Sequence, residues 1–327
     1  MVNEDPALVA RLRAAGCVFA EDEARLLAEA AGADDELLER MVSERVGGAP
    51  LEQVVGWAEL HGRRWSVTPG VFVPRRRSEL LITEALAHLR GRQAAAVPES
   101  GRSPDAVPGA GTPDSPGSGA GRVVPRPGAR PEGVVVVDLC CGCGALGGSV
   151  ALDLVGDGID VALHASDADP AATACARDNL AAAAEPGLST ARPAADGPGP
   201  PAGRLAAVVH DGDLDAPLPG SLRGHVDVLL CNAPYVPTDA IALMPREARE
   251  HEPLLALDGG ADGLGVLRRA IAAAPGWLRP GGAMLFETGH DQAGAAAALT
   301  RSAGLLPAIV SDDDLGATAI VARLPPG

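Results

Sequence analysis

Lysine is absent from the 327 residues, so all 27 basic side chains are arginines, set against 43 acids for a formal charge of −16. Phosphate binding needs local positive charge, and a chain this acidic lacks the basic face that a duplex nucleic acid requires. The two short basic runs, Arg63-Arg64 and Arg75-Arg76-Arg77, read as solvated surface. Aromatic residues make up only 2%, with a single tyrosine, so Ala, Val and Leu must fill the core. No apolar run is long enough to cross a bilayer. Met1 to Ala10 carries acids and no apolar stretch, unlike a signal peptide. The six cysteines lack the paired Cys-x-x-Cys spacing of a zinc site, and three crowd into Cys140-Cys141-Gly142-Cys143, a poor disulfide framework. These absences make a soluble cytoplasmic setting the expectation, with no metal, no membrane and no duplex nucleic acid as partner; the chain is expected to act as a monomer.

What is present begins with helices over residues 6 to 46. Leu8, Leu12 and Ala15 recur at helical spacing, and Asp34-Asp35 opens a helix with Leu37, Leu38 and Met41 on its apolar side. Gly47-Gly48-Ala49-Pro50 ends it. Trp57 to Val67 alternates as a hairpin arm, and Ser78 to Leu89 is helical. Residues 91 to 132 are rich in Pro, Gly, Ala and Ser without an apolar face, the composition of a disordered insert; 185 to 203 is a shorter tract of the same kind. Strands at Val134–Val137, Val161–Ala165, Ala206–Val209, Val226–Cys231, Met284–Glu287 and Thr318–Leu324 alternate with helices at Pro170–Leu180 and Leu264–Leu278. That alternation implies an α/β, doubly wound, Rossmann-like sheet, with ligands at the carboxyl ends of its strands. The implied division is 1–50 helical, 51–90 hairpin arm and connecting helix, 91–132 insert and 133–327 α/β domain.

The first strand of this sheet runs into Asp138-Leu139-Cys140-Cys141-Gly142-Cys143-Gly144. Gly142 and Gly144 let the backbone turn and approach a ligand, while Asp138 can accept hydrogen bonds from a charged amino-acid head group. Asp167 ends the next strand, where it can take both hydroxyls of a ribose, and Asp213 follows the third, placed for an adenine amine. This order of acids fits S-adenosylmethionine (SAM). Gly142 to Gly147 also satisfies G-x-G-x-x-G, with Asp167 at about the 20-residue distance of a dinucleotide fold. The glycines alone do not separate SAM from NAD; Asp138 tilts toward SAM, because a carboxylate attracts an ammonium and opposes pyrophosphate. Cys140, Cys141 and Cys143 read as small residues filling tight loop positions, and His251 as a loop histidine. The tyrosine closes Asn232-Ala233-Pro234-Tyr235, directly after a strand. By itself that is a proline turn; it also sets a planar amide, a backbone carbonyl and a ring around a pocket suited to a flat NH2 group.

Taken together, the chain resembles the protein N5-glutamine methyltransferases that modify translation release factors, from roughly Pro50 to Gln292. The resemblance is carried by Pro50-Leu51-Glu52, Phe72-Val73-Pro74-Arg75 with Ser78-Glu79-Leu80, the glycine loop with its acids, and Asn232 to Tyr235. It continues through Glu252-Pro253, Asp258-Gly259-Gly260, Asp262-Gly263-Leu264, Pro280-Gly281-Gly282 and Glu287 to Gln292. It implies SAM as cofactor and a protein substrate, the glutamine of a release factor's Gly-Gly-Gln loop, docked through the helical residues 1–50. Asn232 and the carbonyl of Ala233 would each accept one amide N–H, with Pro234 rigidifying the turn and Tyr235 packed on the amide face. Phe72, Pro74, Arg75 and Glu79 would shape the substrate side, although an Arg75–Glu79 ion pair fixing the helix start reads equally well. The family pattern is Asn-Pro-Pro-Tyr; Ala233 stands at its second position, where the carbonyl acts and the residue before proline stays extended.

Three rivals remain at this stage. A nucleic-acid adenine N6-methyltransferase would use the same Asn-x-Pro-Tyr logic on a flipped base but needs a basic face. An NAD-dependent oxidoreductase leaves the Asn-Ala-Pro-Tyr and Glu-Pro blocks unexplained. A non-catalytic SAM-binding protein would tolerate loss of Asn232.

Overall fold

The computed structural model describes residues 5–96, 133–185 and 203–327. Most of both low-complexity tracts, including the expected disordered insert, lies outside the described residues. The insert does not begin at residue 91, however, because the preceding helix continues to Ala96.

Three helices open the chain: α1 (Pro6–Ala14), α2 (Ala20–Ala31) and α3 (Asp35–Val46). Asp5 caps α1 through Ala7 N and Asp34 caps α3 through Leu37 N, each side chain satisfying one of the free N–H groups of a first turn. Leu8, Val9, Leu12, Leu27 and Met41 form their shared core. Ala15, expected on that face, is instead the exposed cap after α1, and Val9 takes the buried position. A one-turn helix, α4 (Leu51–Val55), leads into the antiparallel hairpin β1 (Trp57–Leu60) and β2 (Arg63–Ser66). After a 3-10 turn at Arg76–Ser78 comes α5 (Glu79–Ala96).

The remaining chain builds one seven-stranded sheet. Its elements are β3 (Val134–Leu139), α6 (Ala145–Gly156), β4 (Val161–Asp167), α7 (Pro170–Ala184), β5 (Leu205–Asp211) and β6 (Val226–Cys231). There follow α8 (Arg246–His251), α9 (Leu254–Leu257), α10 (Gly265–Trp277), β7 (Leu278–Glu287), α11 (Ala293–Ser302), β8 (Leu306–Asp312) and β9 (Ala317–Arg323). Strand order is β5-β4-β3-β6-β7-β9-β8; the first five are parallel, and β9 is antiparallel to both β7 and β8. This is the doubly wound α/β architecture expected from the strand-helix alternation.

Four consecutive valines make sense in a strand covered on both faces. Val134 and Val136 join the core with α5, α6 and α7, while Val135 and Val137 join the opposite core with α10 and α11. The chain order reverses between β3 and β6, whose last paired residues are Leu139 and Cys231. A crevice opens beyond the carboxyl ends at such a reversal. Trp65 of the hairpin is buried in the first core, so the arm is anchored beside this crevice.

Candidate active site

A cavity of about 400 Å3 occupies the reversal point, within the range of small-molecule sites. Gly142 forms part of its wall after β3, Asp167, Ala168 and Asp169 after β4, and Asp213 and Leu214 after β5. Asn232 and Pro234 close it after β6, with Phe72 and Val266 adding apolar wall. Phe72, Cys140, Gly142 and Asn232 also border a second cavity of about 30 Å3, which Pro74 and Ser78 complete. Asn232 therefore stands on the wall shared by both spaces.

The three acids do different things. Asp167 reaches the cavity with its Oδ2 accepting Gly142 N at 2.9 Å and its Oδ1 accepting Asp169 N at 3.0 Å, so the loop and the strand end hold it. Burial pushes its carboxyl above the ordinary value despite those bonds. Asp213 lies on the same wall but is engaged by Arg269 of α10, which also lines the cavity. Asp138 is displaced from its expected place: it lies behind the loop rather than on either cavity wall. Its Oδ2 accepts Gly147 N at 2.8 Å, and its Oδ1 is buried without a partner among the described residues. Burial raises this carboxyl to about 7. Gly147 must lack a side chain for that contact, since a Cβ there would sit 2.8 Å from Asp138 Oδ2. Gly144 caps α6 in a left-handed conformation and packs toward α7, off the cavity wall.

At the other end, Asn232 donates from Nδ2 to Ser78 Oγ at 3.2 Å, and its Oδ1 carries no hydrogen bond among the described residues. Ala233 is buried against the α10 side of the sheet. Tyr235 does not border either cavity; its hydroxyl donates to Glu287 Oε1 at 2.6 Å and its ring lies 5.6 Å from the Arg77 guanidinium. The loop after Tyr235 is stitched to the Asp258-Gly259-Gly260 segment by Gly259 N to Val236 O at 2.9 Å and Thr238 N to Gly260 O at 3.0 Å. Gln292 donates to the Tyr235 carbonyl at 3.0 Å across Gly263.

Two expected substrate-side residues are placed otherwise. Arg75 does not pair with Glu79: it pairs with Glu252, a buried carboxylate, and its guanidinium lies 5.3 Å from the Phe72 ring. Glu79 instead faces the hairpin, accepting His61 N at 3.4 Å. Neither residue lines a cavity; a buried acid offered a stronger partner than the half-buried one four residues along. The Arg75–Glu252 pair joins the Phe72 loop to the Glu252-Pro253 loop, whose Pro253, Leu255 and Ala256 form the cavity's outer wall. His251, expected in a loop, ends α8. The six cysteines are all free thiols, and burial raises those of Cys141 and Cys143.

Several side chains that matter here were given no role by the sequence, although Ser78 and Glu287 lie inside its motif blocks. Asn179 of α7 donates to Ser66 O and Cys143 O, each at 2.9 Å, and accepts Ser66 N at 2.9 Å, clamping hairpin to glycine loop. Ser78, Arg77 and Glu287 surround Asn232 and Tyr235 from other elements. Arg269 of α10 was equally silent.

A doubly wound sheet whose glycine loop, strand-end acid and terminal asparagine meet in one cavity has the form of a SAM-dependent methyltransferase. No family model matches the chain. The release factor glutamine methyltransferase of Cereibacter sphaeroides is 31% identical over 337 residues, covering 98% of this chain and 96% of that one. That of Bordetella pertussis is 32% identical over 268 residues, covering 81% and 74%. The 4-amino-L-phenylalanine/4-methylamino-L-phenylalanine methyltransferase of Streptomyces pristinaespiralis is 30% identical over 263 residues, covering 80% and 69%. The chain belongs to the release factor glutamine methyltransferase family.

Proposed function

We propose that this protein methylates the side-chain amide nitrogen of a glutamine in a protein, the Gly-Gly-Gln loop of a translation release factor being the acceptor. The observation that carries the reading is the Asn232 amide, with Nδ2 occupied by Ser78 and Oδ1 free at the junction of the two cavities. SAM fits the larger cavity by its donor set. Asp167 is positioned for ribose hydroxyls, Leu214, Ala172 and Val266 offer apolar wall for a purine, and the Asp138 carboxyl, its Oδ1 without a partner among the described residues, lies behind the loop where an ammonium would favour its ionised form. When bound, SAM supplies an electrophilic methyl group.

The chain's own residues then act by positioning. An amide nitrogen is a weak nucleophile because its lone pair is delocalised into the carbonyl. Asn232 Oδ1 accepts one N–H and the Ala233 carbonyl the other, which fixes the nitrogen and shifts electron density onto it. Pro234 holds the turn, and Tyr235, expected on the amide face but placed off both cavity walls, anchors the loop through its hydrogen bond to Glu287. The spent proton passes to solvent after transfer, so no strong base is needed. Phe72 and Pro74 wall off water on the substrate side. Residues 1–50 form the docking unit for the protein substrate, and the setting is the cytoplasm; no helix among the described residues is long and apolar enough to cross a membrane.

The Streptomyces relative's name describes methylation of an aromatic amine, which makes acceptor class the point to test. Purified protein is given isotopically labelled SAM with a release factor, with the same factor carrying Gln→Asn in Gly-Gly-Gln, and with 4-amino-L-phenylalanine. Label on the intact factor alone is the expected result; label on the free amine alone would overturn the proposal.

A further inference from the structure

Resting on the amide-acceptor reading above, we propose that Ser78 and Glu287 are positioning residues that fix which end of the Asn232 amide faces the substrate. The two ends of an asparagine amide have nearly the same shape, so sterics alone do not choose between them. An acceptor for a substrate N–H needs the oxygen forward.

The choice is made by hydrogen-bond polarity, passed through a chain of three residues. Glu287, at the end of β7, is buried and ion-pairs with Arg77 Nε at 2.6 Å. A carboxylate held by a guanidinium only accepts. Ser78 Oγ donates to its Oε2 at 2.8 Å, and Tyr235 donates to its Oε1 at 2.6 Å. Ser78 has one proton, and that proton is spent on Glu287. Its oxygen therefore faces Asn232 with lone pairs only, 3.2 Å away, and only Nδ2 can donate into them. Turning the amide over would set Oδ1 against those lone pairs with no proton between, in a contact that is partly buried. The same carboxylate thus orients Asn232 through Ser78 and holds Tyr235 directly.

The arrangement also explains a specificity that the acceptor chemistry demands. An oxygen facing the pocket accepts from a glutamine NH2 and repels a glutamate carboxylate. An Nδ2 facing the pocket would do the reverse. Ser78→Ala removes the relay and frees the Asn232 amide to turn; Ser78→Thr keeps the hydroxyl. Glu287→Gln supplies a donor where only an acceptor stood, so Ser78 loses its fixed direction.

Two measurements on the full-length protein test this. In the first, the Asn232 side-chain NH2 signal is assigned in an 15N spectrum by its loss in Asn232→Asp, with no substrate added. Ser78→Ala should shift it and speed its hydrogen exchange several-fold, while Ser78→Thr leaves it in place. In the second, peptides containing Gly-Gly-Gln and Gly-Gly-Glu are compared for methylation and for binding. Ser78→Ala and Glu287→Gln should lower kcat on the glutamine peptide on the order of 10- to 100-fold and narrow the preference for glutamine over glutamate. Ser78→Thr should restore both. An unmoved NH2 signal in Ser78→Ala overturns the proposal, and so does unchanged discrimination in a Ser78→Ala protein whose parent methylates glutamine. If the parent transfers no methyl to glutamine while the NH2 signal moves as expected, the relay stands and the acceptor reading falls.

Discussion

Asp138 shows at the residue scale how burial turns a sequence expectation into a different role. Its carboxyl is raised to about 7 because it is buried with one oxygen unpartnered. In the unfolded chain an aspartate ionises near 3.9. The folded state therefore holds this proton more tightly, so the group's favourable contribution is complete below about pH 4. It is lost as pH rises toward 7 and changes no further above that. The unfolding free energy of wild type, compared with that of Asp138→Asn, should fall behind progressively between pH 4 and 7 and then run parallel; profiles parallel throughout would refute the assignment. A bound ammonium favours the ionised form, so SAM binding near pH 6.5 should release protons. Calorimetry in two buffers of different ionisation enthalpy reads that release directly. Tyr235→Phe is a gentler change. It keeps the ring and removes one part-buried hydrogen bond to a carboxylate, so chemical denaturation should show a loss of about 1–2 kcal/mol, with SAM affinity unchanged.

Loops, rather than strands, carry the precision of the site at the element scale. Gly263 has φ of +72°, and a Cβ there would lie 2.3 Å from the Tyr235 carbonyl and 2.2 Å from Gln292 Nε2. Gly263→Ala must displace the backbone that carries Asn232 to Tyr235. Transfer should fall on the order of 100-fold, and destabilisation on the order of 1–3 kcal/mol should accompany it in thermal unfolding. A variant with wild-type kcat would show that the loop tolerates the shift. Asn179→Ala removes the clamp between β2 and the glycine loop and leaves the Cys143 and Ser66 backbone groups to find other partners. The expected cost is about 1–3 kcal/mol, together with weaker SAM binding by isothermal titration; stability loss with unchanged affinity would confine Asn179 to a packing role.

The strands of the sheet interior were legible because a covered parallel strand is almost wholly apolar, as Val134 to Val137 is throughout and Val226 to Cys231 is except at Asp227. β8 was not, since this edge strand begins Leu306-Pro307 and is largely exposed, which leaves no hydrophobic pattern to read. The loop residues of the site were legible for a related reason: Asp167 ends a strand, and Asn232, Pro234 and Gly142 lie within three residues of a strand end, where the fold rule puts ligands. Ser78, Glu287, Asn179 and Arg269 stand outside that rule. Their meaning comes from partners 36 to 209 positions away, and no local pattern encodes such pairs. Arg75 and Glu79 misled for the converse reason. Their helical spacing allows an ion pair, while the buried Glu252 gave Arg75 a better one.

On the scale of the whole molecule, the N-terminal helices, the hairpin and the doubly wound sheet converge on one crevice. Arg45 links α3 to Glu23 and, at 3.5 Å, to Glu247 of α8 beside the crevice's outer wall. Arg64 of the hairpin reaches Glu29 of α2 at 2.8 Å. A protein acceptor held by the helical unit would thus be held by a part of the molecule braced against the site. In the proposed reaction this crevice methylates a glutamine amide held by Asn232. The direct measurement is tandem mass spectrometry of a release factor after incubation with the protein and SAM, with wild type and Asn232→Ala in parallel. A single methyl on the side-chain nitrogen of the Gly-Gly-Gln glutamine, present with wild type and lost with Asn232→Ala while SAM still binds, is the expected result. A methyl elsewhere on the factor, or on that glutamine at equal rate with Asn232→Ala, would contradict it.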